Sequence, residues 1–403
     1  MTQWVELVVS MIKRLILKRL QREISQPEID ILLGPRQVGK TTLLRELEEY
    51  AREAGCTTKF FDLEQPLVLA EFNRPDSEVI EKIKAAGEVV FMDEFQYLEN
   101  APKIFKAIYD SRSRVKLICS GSSSLEIHKH LKESLAGRRF LFRVYPLRYS
   151  EIKAARESFS LDSYLRYGGM PALSQTDSEE RKQQILSELL SAYILKDIKA
   201  LVKEENIRAF NHLLYLLAEN QGRLISIHSL AGQVGMSSKA VNRYLDILEG
   251  TFVNFRVYSY STNLGNELKK SCKTYLYDVG IRNAILKDFS HYRDRSDHGT
   301  LLESFVFLGL QSLLAPNMEL KFWRTKEGDE VDFILLKNRK PIPIEVKSRL
   351  TTLEVPKGLK RFLMRYPATK TAYVVNENQT GRVEQGSCAI HWVGFEELGQ
   401  LVA

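Results

Sequence analysis

The chain alternates short, nearly unbroken apolar runs with segments whose apolar residues recur every three or four positions. Ile29 to Leu33, Glu88 to Glu94 and Val115 to Gly121 are runs of the first kind, the pattern of strands covered on both faces. Lys59 to Leu63 is a shorter one. Leu43 to Glu48, Val68 to Phe72, Val79 to Ala86 and Ala101 to Ser111 carry the helical spacing. Buried strands separated by helices predict an α/β fold with a parallel sheet, whose ligands lie at the carboxyl ends of the strands. From about Leu161 the pattern turns helical. It is punctuated by Gly168-Gly169-Met170-Pro171 and continues through a long charged helix, Arg181 to Asn206. Ile207 to Leu217, Ser226 to Gly232 and Ser237 to Glu249 are shorter helices, and Phe252 to Tyr260 and Lys273 to Tyr277 are strands. A last α/β segment has a helix at Thr300 to Leu314 and strands at Leu320 to Trp323, Glu330 to Leu335 and Pro343 to Val346. A helix around Lys357 to Met364 follows, and Thr371 to Val375 would close its sheet.

These patterns divide the chain into a lead-in helix (1–25), a first α/β domain (26–155), a helical region (156–220), a second helical region with strands (221–298) and a C-terminal α/β domain (299–403). No Gly/Ser-rich or Pro-rich linker marks the boundaries. Among 403 residues, 44% are apolar and 27% charged, as in ordinary globular proteins, and the net charge of +7 suits contact with a polyanion. Cys56, Cys119, Cys272 and Cys388 are scattered, with neither C-x-x-C spacing nor partnering histidines, which argues for free thiols in a reducing compartment. No run of about 18 uncharged apolar residues occurs, so no membrane span is expected. In Trp4 to Arg22 the basic residues follow the apolar run, the wrong order for a signal peptide. That segment is expected to lie against the first α/β domain, and the protein to be cytoplasmic.

Gly34 to Thr41 fits G-x-x-x-x-G-K-[ST], a phosphate-binding loop, with a strand before it and a helix after it. The nucleotide-binding set is Gly34, Pro35, Arg36, Gln37, Val38, Gly39, Lys40, Thr41 and Thr42. Glycines let backbone N–H groups turn toward an anion, and the following helix adds its positive end. Lys40 would reach the β and γ phosphates of ATP, and the Thr41 hydroxyl would hold Mg²⁺. Asp93 ends a buried strand, as the acid that orders the Mg²⁺ shell does, and Glu94 would polarise the attacking water. Ser120 and Ser122, on a neighbouring strand, either approach the γ-phosphate or cap a helix at Leu125.

Gly-Pro-Arg-Gln-Val-Gly-Lys-Thr-Thr, Asp-Glu-Phe-Gln after the second buried run, Gly-Ser-Ser-Ser, and Ser134-Leu135-Ala136-Gly137-Arg138 occur here in that order. With Gly168-Gly169-Met170-Pro171, Lys196-Asp197-Ile198 and Tyr277-Asp278-Val279-Gly280, the chain resembles prokaryotic AAA-type P-loop ATPases that carry a C-terminal domain of uncharacterised function. The resemblance implies ATP binding and hydrolysis. Under it, Arg138, with Arg139 as backup, is the basic residue that would stabilise γ-phosphate charge, in cis or from a neighbouring subunit of a homo-oligomer.

Two further patterns bear on partners. Ile225 to Ala231 and Met236 to Leu245 flank Gly235 as a helix-turn-helix with strands that could form a wing; Ser238, Lys239, Asn242 and Arg243 would face DNA. The same module also serves as interdomain packing. In the last segment, Asp332 and Glu345 fall on adjacent strands at one sheet edge, and Lys347 shares a strand face with Glu345. Two carboxylates can bind a second divalent ion, Mg²⁺ or Mn²⁺, with Glu303 completing the shell and Lys347 orienting water. The set resembles the PD-(D/E)xK nuclease fold, with Val331 where that family often has proline. Two readings follow: a DNA-directed ATPase with a cutting C-terminal domain, or a nucleotide-dependent switch whose C-terminal domain only holds DNA or protein.

Overall fold

The computed structural model describes residues 12–122, 135–192, 207–261 and 272–402. Trp4, Ser123, Ser124, Leu125, Ser134 and Lys196-Asp197-Ile198 lie outside the described residues, so the readings placed on them have no structural counterpart.

The N-terminal layer is a five-stranded sheet in the order β2-β3-β4-β1-β5, with β1 at Ile29–Gly34, β2 at Thr58–Asp62, β3 at Val89–Asp93, β4 at Lys116–Ser122 and β5 at Arg139–Arg143. Every pairing in it is parallel. All six residues of β1 and all five of β3 are buried, which is why these strands read as apolar runs. Helices α1 (Leu17–Glu23), α2 (Lys40–Glu53), α3 (Pro66–Ala70), α4 (Asp76–Lys84) and α5 (Ala101–Asp110) complete this layer. Leu20 of α1 is buried in the core shared with Leu43, Leu44 and Leu47 of α2, so the described part of the lead-in segment does lie against the first sheet.

The middle of the chain contributes α6 (Tyr149–Ala155), α7 (Leu161–Tyr167), α8 (Pro171–Ser174), α9 (Glu179–Leu189), α10 (Ile207–Glu219), α11 (Ile227–Val234) and α12 (Ser238–Gly250). The Ser226 and Ser237 side chains cap α11 and α12, and Gly235 turns between them at φ 68°. A small antiparallel sheet, β6-β8-β7, follows: β6 is Leu224–Ile225, β7 Asn254–Val257 and β8 Cys272–Leu276. Helix α13 (Val279–Leu286) leads to α14 (His298–Gln311).

The C-terminal sheet has six strands in the order β13-β14-β12-β11-β10-β9. These are β9 (Met318–Arg324), β10 (Glu330–Lys337), β11 (Lys340–Val346), β12 (Thr371–Asn376), β13 (Gly381–Gln385) and β14 (Cys388–Gly394), with α15 (Lys357–Arg365) packed on one face. Two expectations are corrected here. Thr371 to Val375 does not close the sheet: β14 pairs in parallel outside β12, and β13 is the edge. Apart from half-buried Val383, β13 is exposed and polar, so it leaves no apolar run to read. Asp332 and Glu345 also lie on two interior strands, not at an edge strand.

One apolar core runs through all three layers, from Leu32 and Phe142 through Leu217 and Leu248 to Phe307 and Phe333. No helix among the described residues is long and apolar enough to cross a membrane. All four cysteines are free, three of them buried.

Candidate functional site

The phosphate loop joins β1 to α2 at the carboxyl end of the first sheet. Gln37 (φ 59°) and Gly39 (φ 91°) take the left-handed conformation, which curls the backbone over the start of α2. Gly34 admits no side chain, because a Cβ there would stand 2.3 Å from the Val144 carbonyl oxygen. Pro35 and Val38 are buried, Arg36, Gln37, Thr41 and Thr42 exposed. Lys40 is buried and folds back, donating to the carbonyls of Gly34 (3.0 Å) and Pro35 (2.8 Å). Burial pushes its ammonium below the usual lysine range, against the attraction of Glu94 and Asp93.

Strand β4 lies between β1 and β3, so Ser120 sits between the loop strand and the acid strand. Its hydroxyl donates to Asp93 Oδ1, which also accepts the Glu94 N–H at 3.2 Å. Glu94 takes φ 52° and opens a tight turn, and the Gln96 side chain donates to its carboxylate. Gly121 lets that turn approach: a Cβ there would meet the Phe95 ring at 2.7 Å. Ser122 ends β4 opposite Gly34. The structure therefore gathers the loop, Asp93, Glu94 and Ser120 at one end of the sheet.

Arg138 and Arg139 lie at the other end. Arg139 pairs with Ile29, the first residue of β1, five residues before the loop begins at Gly34. At about 3.3 Å per residue this is more than 15 Å of strand. Arg138 is engaged with Asp110, Nε to Oδ1 at 2.6 Å. The in-cis role expected for Arg138 is thereby corrected.

The pattern of apolar residues did not reveal Arg14. Its guanidinium is buried and donates to the carbonyls of Val38 (2.9 Å), inside the loop, and Tyr145 (2.6 Å), just past β5. Glu151 stands 3.5 Å from Arg14 and accepts the Leu15 N–H at 2.7 Å and the Arg148 N–H at 2.9 Å. Nor did it reveal Asp278, buried at the start of α13. Asp278 accepts the N–H groups of Gly169 (2.8 Å), Gly280 (2.8 Å) and Ile281 (3.1 Å), so it fixes the Gly168–Pro171 turn. Pro171 in that turn comes within 3.8 Å of where a Cβ on Gly39 would lie.

In the C-terminal layer, β10 and β11 pair Phe333 with Ile344, one step from Asp332 and Glu345. Asp332 sits where the β9–β10 register slips, and its Oδ2 accepts the Val346 N–H at 2.8 Å. Lys347 Nζ lies 2.8 Å from Glu345 Oε1. Burial, with Asp332 nearby, pushes the Glu345 carboxyl well above the usual range; burial does the same to Glu303. Glu303 is held by Lys273 (3.0 Å) and Tyr275 (2.5 Å) of β8, and Lys273 also pairs with Glu330 at 2.6 Å. The residues named from the sequence thus stand together, joined by Lys273 and Glu330. The available signal was a lysine near the start of a strand with no other charged residue. On α12, Lys239, Asn242 and Arg243 are exposed and Ser238 half-buried.

Three family models match in succession: an AAA domain over residues 26–153, a domain of unknown function (DUF8612) over 158–292 and another (DUF4143) over 298–393. An uncharacterized protein of Mycobacterium tuberculosis is 26% identical over 88% of this chain and 78% of its own length. One from Haemophilus influenzae is 26% identical over 79% of this chain and 82% of its own. Among solved structures, AMPPCP-bound DnaA from Aquifex aeolicus is similar over 58% of this chain and 86% of that one, with 13% identity and a TM-score of 0.31. Residues 26–153, the segment that matches an AAA domain, carry the loop, the buried acid and the parallel sheet of a P-loop fold.

Proposed function

We propose that the chain binds ATP with Mg²⁺ at Gly34–Thr42 and hydrolyses it, and that nucleotide state governs how its C-terminal domain holds nucleic acid. The observation that carries the first part is the convergence of the loop, Asp93 and Glu94 at one sheet end. The residues fit the metal: Asp93 is a buried carboxylate oriented by Ser120, and the exposed Thr41 hydroxyl begins α2. When bound, Mg²⁺ supplies positive charge to the phosphates. Lys40 leaves the Gly34 and Pro35 carbonyls for the phosphate oxygens, and Glu94, steadied by Gln96, orients the water and accepts its proton. Arg138, remote from its own loop, would serve only a neighbouring subunit's. Lys40→Ala is expected to abolish ATP binding in a filter or calorimetric assay, and Glu94→Gln to bind ATP without turnover. Unchanged hydrolysis in both would sink the assignment.

The functional units in this proposal are 26–155, 156–220, 221–298 and 299–403, with 1–25 as brace. Support for nucleic acid comes from α15, whose Lys357, Lys360, Arg361 and Arg365 are exposed or half-exposed. Its Gly358 packs against the backbone of Glu330, beside the acid cluster. The outward Lys239, Asn242 and Arg243 of α12 add a second basic face. Replacing Lys360 and Arg361 by Glu should weaken duplex DNA binding and flatten its salt dependence by about two counterions. Equal affinity at all salt concentrations would remove α15 from the interface. Between a cutting and a non-cutting C-terminal domain, one observation favours the second: Lys273 stands among the acids.

A further inference from the structure

A divalent ion at Glu303, Asp332 and Glu345 would need their oxygens free to converge. The chain's own groups already take one oxygen of each. Lys273 Nζ lies 3.0 Å from Glu303 Oε1 and 2.6 Å from Glu330 Oε1, with its side chain only 2% exposed. Tyr275, two residues on and therefore on the same face of β8, donates to the same Glu303 oxygen. Glu330 is shared with Arg324 at 3.1 Å. Asp332 is spent on the Val346 N–H, and Glu345 gives one oxygen to Lys347. Among the described residues, no group of three or more His, Cys, Asp or Glu is arranged to hold a metal. The expected ligand set does not fit an ion as it stands.

A lysine this deep is costly unless paired, since burial strips the ammonium of its water. Glu303 and Glu330, both within 3.0 Å of its Nζ, supply that pairing. One feature shows that the compensation is incomplete. Glu345 Oε2 is buried with no hydrogen-bond partner, its carboxylate close to Asp332, while the lysine reaches Glu303 and Glu330.

We infer that Lys273 is the resident cation of the C-terminal acid cluster, standing in for a divalent ion and keeping the domain in a closed, non-cutting state. The inference deepens the non-cutting reading above and does not depend on ATP turnover. Withdrawing the ammonium leaves Glu303, Glu330 and Asp332 without their shared counter-charge, next to the unpartnered oxygen of Glu345, which is the donor chemistry of a Mg²⁺ or Mn²⁺ site. The cluster is therefore a latent cation site gated by β8.

The test is Mn²⁺ binding to the nucleotide-free full chain, followed by electron paramagnetic resonance of the free ion. Wild type should hold no saturable Mn²⁺ at these acids. Lys273→Met should gain one site per chain, and adding Glu345→Gln to it should remove that site. A folded Lys273→Met chain that gains no site would overturn the inference. If Lys273→Met does not fold by circular dichroism, wild type and Glu345→Gln alone decide. Mn²⁺ held by wild type and lost in Glu345→Gln overturns the inference; no saturable binding in either upholds it. ATP binding measured on the same samples keeps a failure at the phosphate loop separate.

Discussion

Single side chains decide much of the behaviour at the phosphate loop. Arg14 ties the loop carbonyl of Val38 to the Tyr145 carbonyl, and a planar guanidinium can serve two acceptors where an ammonium serves one point. Arg14→Met should weaken ATP binding roughly tenfold, the effect of about 1–3 kcal/mol when buried acceptors lose their donor, and Arg14→Lys should not restore it. Titration calorimetry reads both. A second residue-scale prediction concerns Asp297, before α14, which receives two bonds from Arg295 (2.7 and 2.8 Å) and one ion pair from the buried Arg282 at 2.8 Å. Burial alone would raise its carboxyl, but the two guanidinium groups hold it down at about 2. A depressed acid stabilises the fold above its unfolded pKa of about 3.9, and that contribution is lost as pH falls through about 2. The wild type should therefore lose about 1–2 kcal/mol more than Asp297→Asn between pH 5 and 2, allowing for solvent screening of a half-buried group, measured by urea unfolding. Parallel curves would refute the assignment.

Among the elements, those whose residues share one environment were legible. Strands β1 and β3 are buried throughout, and their apolar runs announced them; α12 began at its serine cap as expected. The loop, Asp93 and Glu94 were legible because their chemistry forces particular residue types at particular spacings. What escaped was fixed by distant partners. β13 is exposed and polar, so its place depends on pairing with β14. Arg138 is assigned by resemblance, in cis or from a neighbouring subunit, and its place at the far end of the sheet follows from the pairing of β5 with β1 and from Asp110, neither of which is written locally. Arg14, Asp278 and Lys273 reach residues far along the chain, and periodicity carries no trace of that. The packing of α15 on β10 gives a prediction at this scale. A Cβ on Gly358 would stand 1.8 Å from the Glu330 carbonyl oxygen, so Gly358→Ala must lift the helix. A loss of about 1–3 kcal/mol and weaker DNA binding should follow, while ATP turnover without DNA stays unchanged.

For the molecule as a whole, the three layers are interlocked rather than strung together. The Arg148 guanidinium donates to the Ser312 carbonyl at 2.7 Å, Asp278 clasps Gly169, and Ser259 bridges to Phe322 of β9. With a core common to all three, calorimetry should show one main unfolding transition, and ATP at a hundred times its Kd should raise the whole of it by about 2.7 kcal/mol. Separate transitions, only the first moving with ATP, would show that the layers are energetically independent. Strand β8 also links two places of interest: Lys273 near its start meets the acid cluster, and Asp278, just past its end, holds the turn whose Pro171 lies beside Gly39.

The pairing of Lys273 with Glu303 and Glu330 has a consequence for the order in which the chain is made. Synthesis delivers the lysine before either acid, and domains generally begin to fold as they emerge. Until β10 leaves the ribosome, Lys273 has only Glu303 of these two acids and lacks Glu330, so its burial is incompletely compensated and β8 stays open. The small sheet β6-β8-β7 would then be completed late, after the C-terminal strands that follow it in sequence. A nascent chain stopped before residue 330 should leave β8 accessible to protease, whereas release of the finished chain should protect it.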